Sequence, residues 1–129
     1  PFKETLDMEQ IDVPYRLGRL FAVLERIQQQ AMPGINATIR DRYYGAASTT
    51  PVAVFTTLLR LKNAHLKKLA DGAANYFERL IGEVVEPMTD FPRQLTLHDQ
   101  GRFALGYYHQ RQDFFVRKNP ADTPTPNEE

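Results

Sequence analysis

The chain has no cysteine among its 129 residues. That absence excludes disulfide frameworks, thiolate catalysis, cysteine-bound zinc and iron–sulfur clusters together. Long apolar runs are missing too, because the longest, residues 20–24, has five residues, whereas a bilayer-spanning helix needs about 20. No basic-then-apolar leader opens the chain, so nothing marks it for secretion. We therefore expect a cytoplasmic protein that does not associate with membranes.

What the sequence does contain is typical of one soluble globular domain. Hydrophobic residues make up 42% and charged residues 25% of the chain, close to the averages for such domains. A chain of this length buries roughly two-thirds of its unfolded surface on folding. It can therefore build a core without a disulfide or a structural metal.

The formal net charge is zero, with 16 basic and 16 acidic residues, but the charges are unevenly distributed. Residues 1–12 and 119–129 each carry a balance of −3, which leaves +6 on the body between them. Residues 33–70 hold six basic side chains and one acidic one, whereas residues 71–92 hold one basic and five acidic. Each stretch alone is typical of a solvated helix face, but together they favour an anionic partner.

Start and stop signals divide the body into helices. Asp12 followed by Pro14 predicts the start of a first helix, which the pair Pro33-Gly34 ends. Between these signals, apolar residues recur at helical spacing. Asn36 can cap a short second helix over residues 37–44.

Three further helices follow. Thr50-Pro51 repeats the start signal, and the third helix extends to the pair Asp71-Gly72. A fourth helix spans about residues 73–86. Thr96 and Asp99 resemble a capping box and predict the start of a fifth helix, which continues to about residue 118.

These signals predict an all-α fold, a compact bundle of four long helices plus one short helix. No window alternates with period two over the length of a strand. We expect an acidic N-terminal arm over residues 1–13, the helical bundle over residues 14–118, and a disordered, acidic and proline-rich tail over residues 119–129.

Basic residues on the polar helix faces are the candidate site. Two pairs, each spaced by seven residues, share the polar side of the first or the third helix. A pair spaced by two on the short helix cannot face the same way, so at least one member is expected to anchor that segment internally, for instance by pairing with the neighbours of Asp41 or with an acidic group of the fourth helix. The candidate nucleic-acid-binding residues are Arg19 and Arg26 on the first helix, Arg40 and Arg42 on the second, and Arg60, Lys67 and Lys68 on the third.

The fifth helix is rich in aromatic residues. Phe103, Tyr107, Phe114 and Phe115 lie on an apolar arc that covers well over half of its circumference, so we predict that they are buried and that this is the most enclosed helix. Stacking on nucleobases is the alternative use of such a stripe. Two glycines within this helix, Gly101 and Gly106, predict the close approach of a neighbouring helix.

Signals for catalysis are weak. His98 and His109 are three helical turns apart, about 16 Å along the axis, which is too far to share a metal. No glycine-rich phosphate loop, serine nucleophile elbow or His-Glu-x-x-His motif is present. We therefore expect no catalytic residues, no cofactor, no metal site and no small-molecule substrate.

Several long strings resemble a known family. They include LGRLFAVLER (17–26), INATIRDRYYGAAS (35–48) and LHDQGRFALGYYHQRQDFF (97–115). Over about residues 14–117, the chain closely resembles the C-terminal domain of the large subunit of the type I-C CRISPR interference complex, Cascade. In that family the same segment is also translated separately as a free small subunit, and this chain resembles that subunit.

The resemblance implies a compact helical bundle in a crRNA-guided complex. Its partners would be the crRNA-bearing backbone subunits, the large subunit, further copies of itself and the single-stranded non-target DNA. Its implied role is to hold the guide–target duplex and the displaced strand, and it implies no nuclease activity.

Two functions from different classes therefore compete. The first is a non-catalytic subunit that binds nucleic acid without sequence specificity and stabilises the R-loop. The alternative is a purely structural bundle, in which the basic side chains meet acidic neighbouring subunits and none of them contacts DNA. A small enzyme is a third class, but it needs a deep pocket with perturbed acids, which the sequence does not indicate.

Overall fold

The computed structural model describes residues 2–117, and within this range every regular element is a helix. The predicted all-α fold is therefore confirmed. The helix predicted to be short, α2, has 11 residues. The predicted disordered tail and the end of the fifth helix at residue 118 lie outside the described residues. The five helices are α1 (Val13–Ala31), α2 (Ile39–Thr49), α3 (Pro51–Leu66), α4 (Asp71–Val85) and α5 (Leu97–Arg117).

Two of the predicted helix starts are confirmed by their capping bonds. The Asp12 carboxylate accepts a hydrogen bond from the Tyr15 amide at 3.1 Å, which satisfies a free donor at the start of α1. At α5, the Asp99 amide donates to the Thr96 hydroxyl at 3.0 Å, and the Asp99 carboxylate accepts from the Thr96 amide at 3.3 Å. This reciprocal pair is a capping box with Asp in the place of Glu.

The predicted bounds of the second helix are wrong at both ends. Its cap is Thr38, which forms a reciprocal capping box with Asp41, rather than Asn36. The helix also continues past Gly45 to Thr49. A glycine weakens a helix by about 1 kcal/mol, and the alanines at 46 and 47 that follow it are the strongest helix formers.

The boundary between α3 and α4 also differs from the prediction. α3 ends at Leu66, and Asp71 and Gly72 begin α4 instead of ending α3. An acidic residue in the first helical turn interacts favourably with the positive end of the helix dipole. The same Asp-Gly pair is therefore compatible with a start and with a stop.

The central element of the bundle is α1, and the prediction that the fifth helix is the most enclosed is wrong. Of the 19 residues of α1, 14 are buried, and α1 packs against each of the other four helices. α5 packs most extensively on α1 but lies at the periphery. As a result, Tyr108, Phe115 and Val116 of α5 are exposed.

Two glycines allow α1 and α5 to approach closely. A Cβ atom added at Gly106 would lie 1.9 Å from the Tyr15 carbonyl oxygen, and one added at Gly18 would lie 2.0 Å from the Phe103 carbonyl oxygen. The predicted close approach at Gly106 is confirmed. The predicted close approach at Gly101 is wrong, because a Cβ atom added there would meet no atom within 4 Å.

The core is aromatic where α1, α2, α3 and α5 meet. The Phe21 ring packs edge-on against Tyr44 and Phe55, and Phe103 and Tyr107 pack around it. Burial of Phe103, Tyr107 and Phe114 confirms those predictions. The prediction that Phe115 is buried is wrong, since 53% of the residue is exposed. Consecutive helical residues are rotated by about 100°, so Phe115 faces outward when Phe114 faces the core.

The acidic arm before α1 is fixed to the bundle by Arg16, which is 4% exposed. Its guanidinium donates to the carbonyl oxygens of Met8 and Gln10 in the arm, and to those of Glu83 and Val84 near the end of α4. Carbonyls at the end of a helix lack partners within the helix, so Arg16 satisfies two of them while it holds the arm. In the described part of the chain, no helix is long and apolar enough to cross a membrane.

Candidate nucleic-acid interface

Four of the predicted basic residues have exposed side chains on α2 and α3. In the described part of the chain, these side chains form no hydrogen bond or ion pair. They are Arg42, Arg60, Lys67 and Lys68. We call this set the α2–α3 basic surface.

The sequence around this surface is free of acidic residues. Between Asp41 and Asp71 the chain contains no Asp or Glu, and Asp41 itself is engaged in the capping box of α2. Lys62, in the same stretch, forms an ion pair with Glu78 of α4 at 3.4 Å. Its side chain is 14% exposed, so Lys62 does not belong to the α2–α3 basic surface.

The end of α3 explains where two of the lysines lie. Lys67 follows the last residue of the helix, and its amide still bonds to the Asn63 carbonyl. Cations at a helix C-terminus interact favourably with the helix dipole. Burial, reinforced by the nearby Lys68, lowers the pKa of His65 below its usual value, so His65 tends to be neutral and the lysines carry the charge here.

Arg19 is not part of the surface, and the prediction that it is exposed is wrong. It is 1% exposed, and its Nε donates to the Gln110 side-chain oxygen at 2.9 Å. Burial lowers the pKa of Arg19 from its usual value, and the neighbouring Arg16 adds to this effect. The helical wheel placed Arg19 on a polar side, but α4 and α5 cover that side of α1. A buried guanidinium cannot reach a phosphate in this conformation.

Arg26 and Arg40 are half-buried and contact aromatic rings of α5. The Arg26 guanidinium lies 5.8 Å from the centre of the Phe114 ring. Arg40 lies 5.5 Å from the Tyr107 ring and donates to the Tyr108 hydroxyl at 2.7 Å. One member of the Arg40–Arg42 pair is therefore anchored internally, as predicted, but its partners are on α5 and are not acidic groups of the fourth helix.

Two of the three carboxylates that line a cleft are occupied in structural bonds, and the third is Asp90. A cleft of about 500 Å³ lies between the start of α1 and the α4–α5 connection. Arg102 lines it and bonds both Asp12 and Asp99, which also cap α1 and α5. These two acids are therefore charge-paired and fixed. Among the described residues, no three His, Asp or Glu side chains cluster as metal ligands.

Sequence reasoning missed the roles of Arg16 and of His109. The His109 Nδ1 atom lies 2.8 Å from the Tyr15 hydroxyl, which also accepts from the Asp7 amide. Burial lowers the pKa of His109 and raises that of Tyr15. Tyr15 and His109 together hold the N-terminal arm. These two positions lie 94 residues apart, and no local sequence signal joins them.

Comparison with known proteins gives one family. The profile of the family described as CRISPR-associated protein (Cas_Csd1) matches residues 2–115. That range covers most of the 129 residues and all but the last two described ones. No curated protein matches the chain.

Proposed function

Because the chain belongs to the Cas_Csd1 family of CRISPR-associated proteins, we propose that it is a non-catalytic small subunit of a type I-C effector complex. In this role it binds nucleic acid without sequence specificity, holds the displaced non-target strand and the guide–target duplex, and so stabilises the R-loop. Its partners are the backbone and large subunits with their crRNA, and further copies of itself.

The observation that carries the proposal is the α2–α3 basic surface. Its four cationic side chains are exposed and unpaired within the described residues, and the segment from residue 42 to residue 70 lacks acids. Arg60 and Lys67 lie about 10 Å apart along the helix axis. Exposed cations at such spacing suit phosphate contacts, which position a strand and carry no sequence information.

A small amount of binding energy is enough for this role. R-loop formation replaces a DNA duplex with a heteroduplex of similar stability, so the equilibrium lies near balance. Each phosphate that the protein neutralises on the displaced strand releases counterions and favours the open state. The expected signature is affinity that falls steeply with salt, by a slope of about −0.7 per neutralised phosphate on a single strand.

Charge reversal on α3 tests the proposal. The double variant Arg60→Glu/Lys67→Glu should weaken binding to single strands of every sequence and reduce the salt slope by about one to two. Neither side chain packs in the core, so helicity by circular dichroism should not change. Fluorescence anisotropy across a salt series measures both quantities.

A matched control separates position from total charge. Arg79→Glu/Arg93→Glu makes the same change in net charge at two exposed residues outside the α2–α3 basic surface. It should bind much more tightly than the α3 variant. Equal losses in the two variants, or no binding by the native chain even at low salt, would instead favour the structural bundle. In the complex, omission of this chain with the large subunit intact should reduce R-loop formation.

A further inference from the structure

The outward side of α5 carries a row of exposed apolar residues. Leu97, Tyr108 and Phe115 are spaced by 11 and 7 residues, which places them within about 20° on one side of the helix. They are 82%, 46% and 53% exposed. Single exposed apolar residues are common, but an aligned set on one helix marks a surface that contacts something.

An arginine accompanies each exposed ring. The Arg111 guanidinium lies 5.0 Å from the centre of the Phe115 ring. The Arg40 guanidinium lies 5.8 Å from the centre of the Tyr108 ring and bonds its hydroxyl. Cation–π contact orients the ring and places a positive charge beside it. About half of the surface of each aromatic residue remains open to solvent.

The charge of this side of α5 favours an anionic occupant. Its outward positions, residues 97, 101, 104, 105, 108, 111, 112 and 115, include no Asp or Glu. The two acids of α5, Asp99 and Asp113, lie on the opposite half of the helix. α2 carries both Arg40, beside Tyr108, and Arg42 of the α2–α3 basic surface, and it contacts both α3 and α5.

We propose that this row is a stacking platform for the bases of a single-stranded nucleic acid, with Tyr108 and Phe115 as the stacking rings. The proposal rests on the proposed function and adds a second kind of contact to it. Single-strand binding proteins combine a basic path for the phosphates with aromatic rings for the bases, and stacking tolerates any sequence. The two rings are about 10 Å apart along the axis of α5, and Arg40 and Arg111 place a positive charge beside each of them.

The absence of tryptophan provides a direct probe. Phe115→Trp introduces a single indole into the full chain, at a position where half of the residue is exposed. Oligodeoxythymidine should quench its fluorescence by stacking. An abasic strand of the same length carries the same phosphates, and it should bind more weakly and leave the fluorescence unchanged.

A variant series separates stacking from general hydrophobic contact. Phe115→Leu keeps an apolar side chain without an aromatic face, and it should lower the affinity for oligodeoxythymidine by about fivefold or more. The salt slope should not change, because no phosphate contact is lost. The control Val116→Ala removes a neighbouring apolar side chain that is 71% exposed, and its affinity should equal that of the native chain.

The outcomes distinguish this inference from the function on which it rests. One outcome would overturn the stacking platform and leave the basic surface intact. In it, the native chain binds in a salt-dependent way, with equal affinity for the thymidine and abasic strands, and Phe115→Leu has no effect. Equal losses in Phe115→Leu and Val116→Ala would show that general apolar contact, and not aromatic stacking, holds the strand, which also overturns the platform. No binding of any strand at low salt would overturn both proposals.

Discussion

Adding one methyl group at Gly106 tests the close approach of α1 and α5. A Cβ atom there would lie 1.9 Å from the Tyr15 carbonyl oxygen, whereas non-bonded heavy atoms prefer about 3.5 Å or more. The backbones of α1 and α5 would have to separate by roughly 1.5 Å to relieve the overlap. The obstacle is a backbone atom of a buried helix and not the flexible end of a side chain, so local adjustment is limited.

The size of the effect follows from two opposing contributions. Overpacking a core typically costs about 1–3 kcal/mol, and this site belongs at the upper end because backbone must move. Replacing a helical glycine with alanine contributes about 1 kcal/mol in the other direction. We therefore expect Gly106→Ala to lower the free energy of unfolding by about 2 kcal/mol, which is roughly 6–10 °C in Tm for a chain of this size.

Gly101 is the matched control because it lies in the same helix and meets no atom within 4 Å. Gly101→Ala should raise the free energy of unfolding by about 0.5–1 kcal/mol. Urea unfolding followed by circular dichroism measures both variants. If Gly106→Ala is as stable as Gly101→Ala, the close approach of α1 and α5 is wrong.

Two further predictions concern neighbouring aromatic residues of α5 and two half-buried histidines. Phe114→Ala should lower the free energy of unfolding by about 3–5 kcal/mol, whereas Phe115→Ala, next to it and half exposed, should change it little; similar losses in urea unfolding would contradict the assigned orientation of α5. Burial lowers the pKa of His65 and His109, so the unfolded chain binds protons that the folded one does not. Stability should be complete above the unfolded histidine pKa of about 6.5 and should fall as the pH decreases through it. In the His65→Gln/His109→Gln variant, the urea midpoint should depend less on pH between about pH 7 and pH 5.5 than in the native chain. An unchanged pH dependence would show that other groups dominate.

Local signals predicted the starts of α1 and α5 because caps act over three residues. Asp12 and the Thr96–Asp99 pair were identified from sequence alone, and the structure shows their capping bonds. The ends of helices were harder to predict. Gly45 lies within α2, and Asp71-Gly72 begins a helix. Glycine tolerates both positions at a cost of about 1 kcal/mol, which packing of the flanking turns can offset.

Long-range packing determined what the sequence could not indicate. The polar side of α1 is covered by helices whose residues lie far along the chain, and the partner of Arg19 is Gln110, which is 91 residues away. A helical wheel shows which residues share a side, but it does not show whether one or two sides of a helix are covered. α1 is covered on two sides, so the helical wheel wrongly placed Arg19 in solvent, although the residue is buried.

Both lysine candidates are exposed, whereas the five arginine candidates divide, with Arg42 and Arg60 exposed and the other three in contact with protein groups. Lys67 and Lys68 are both exposed, as expected for a compact and strongly hydrated ammonium group. Among the arginines, Arg19, Arg26 and Arg40 contact protein groups instead, one through a buried hydrogen bond and two through aromatic rings. A planar, weakly hydrated guanidinium can stack on a ring or be buried with a partner. A count of basic residues therefore overstates the phosphate-binding surface wherever aromatic residues are near, and α5 supplies most of those rings here. The same contacts that remove Arg40 from the α2–α3 basic surface place it beside Tyr108, one of the two rings of the proposed stacking platform.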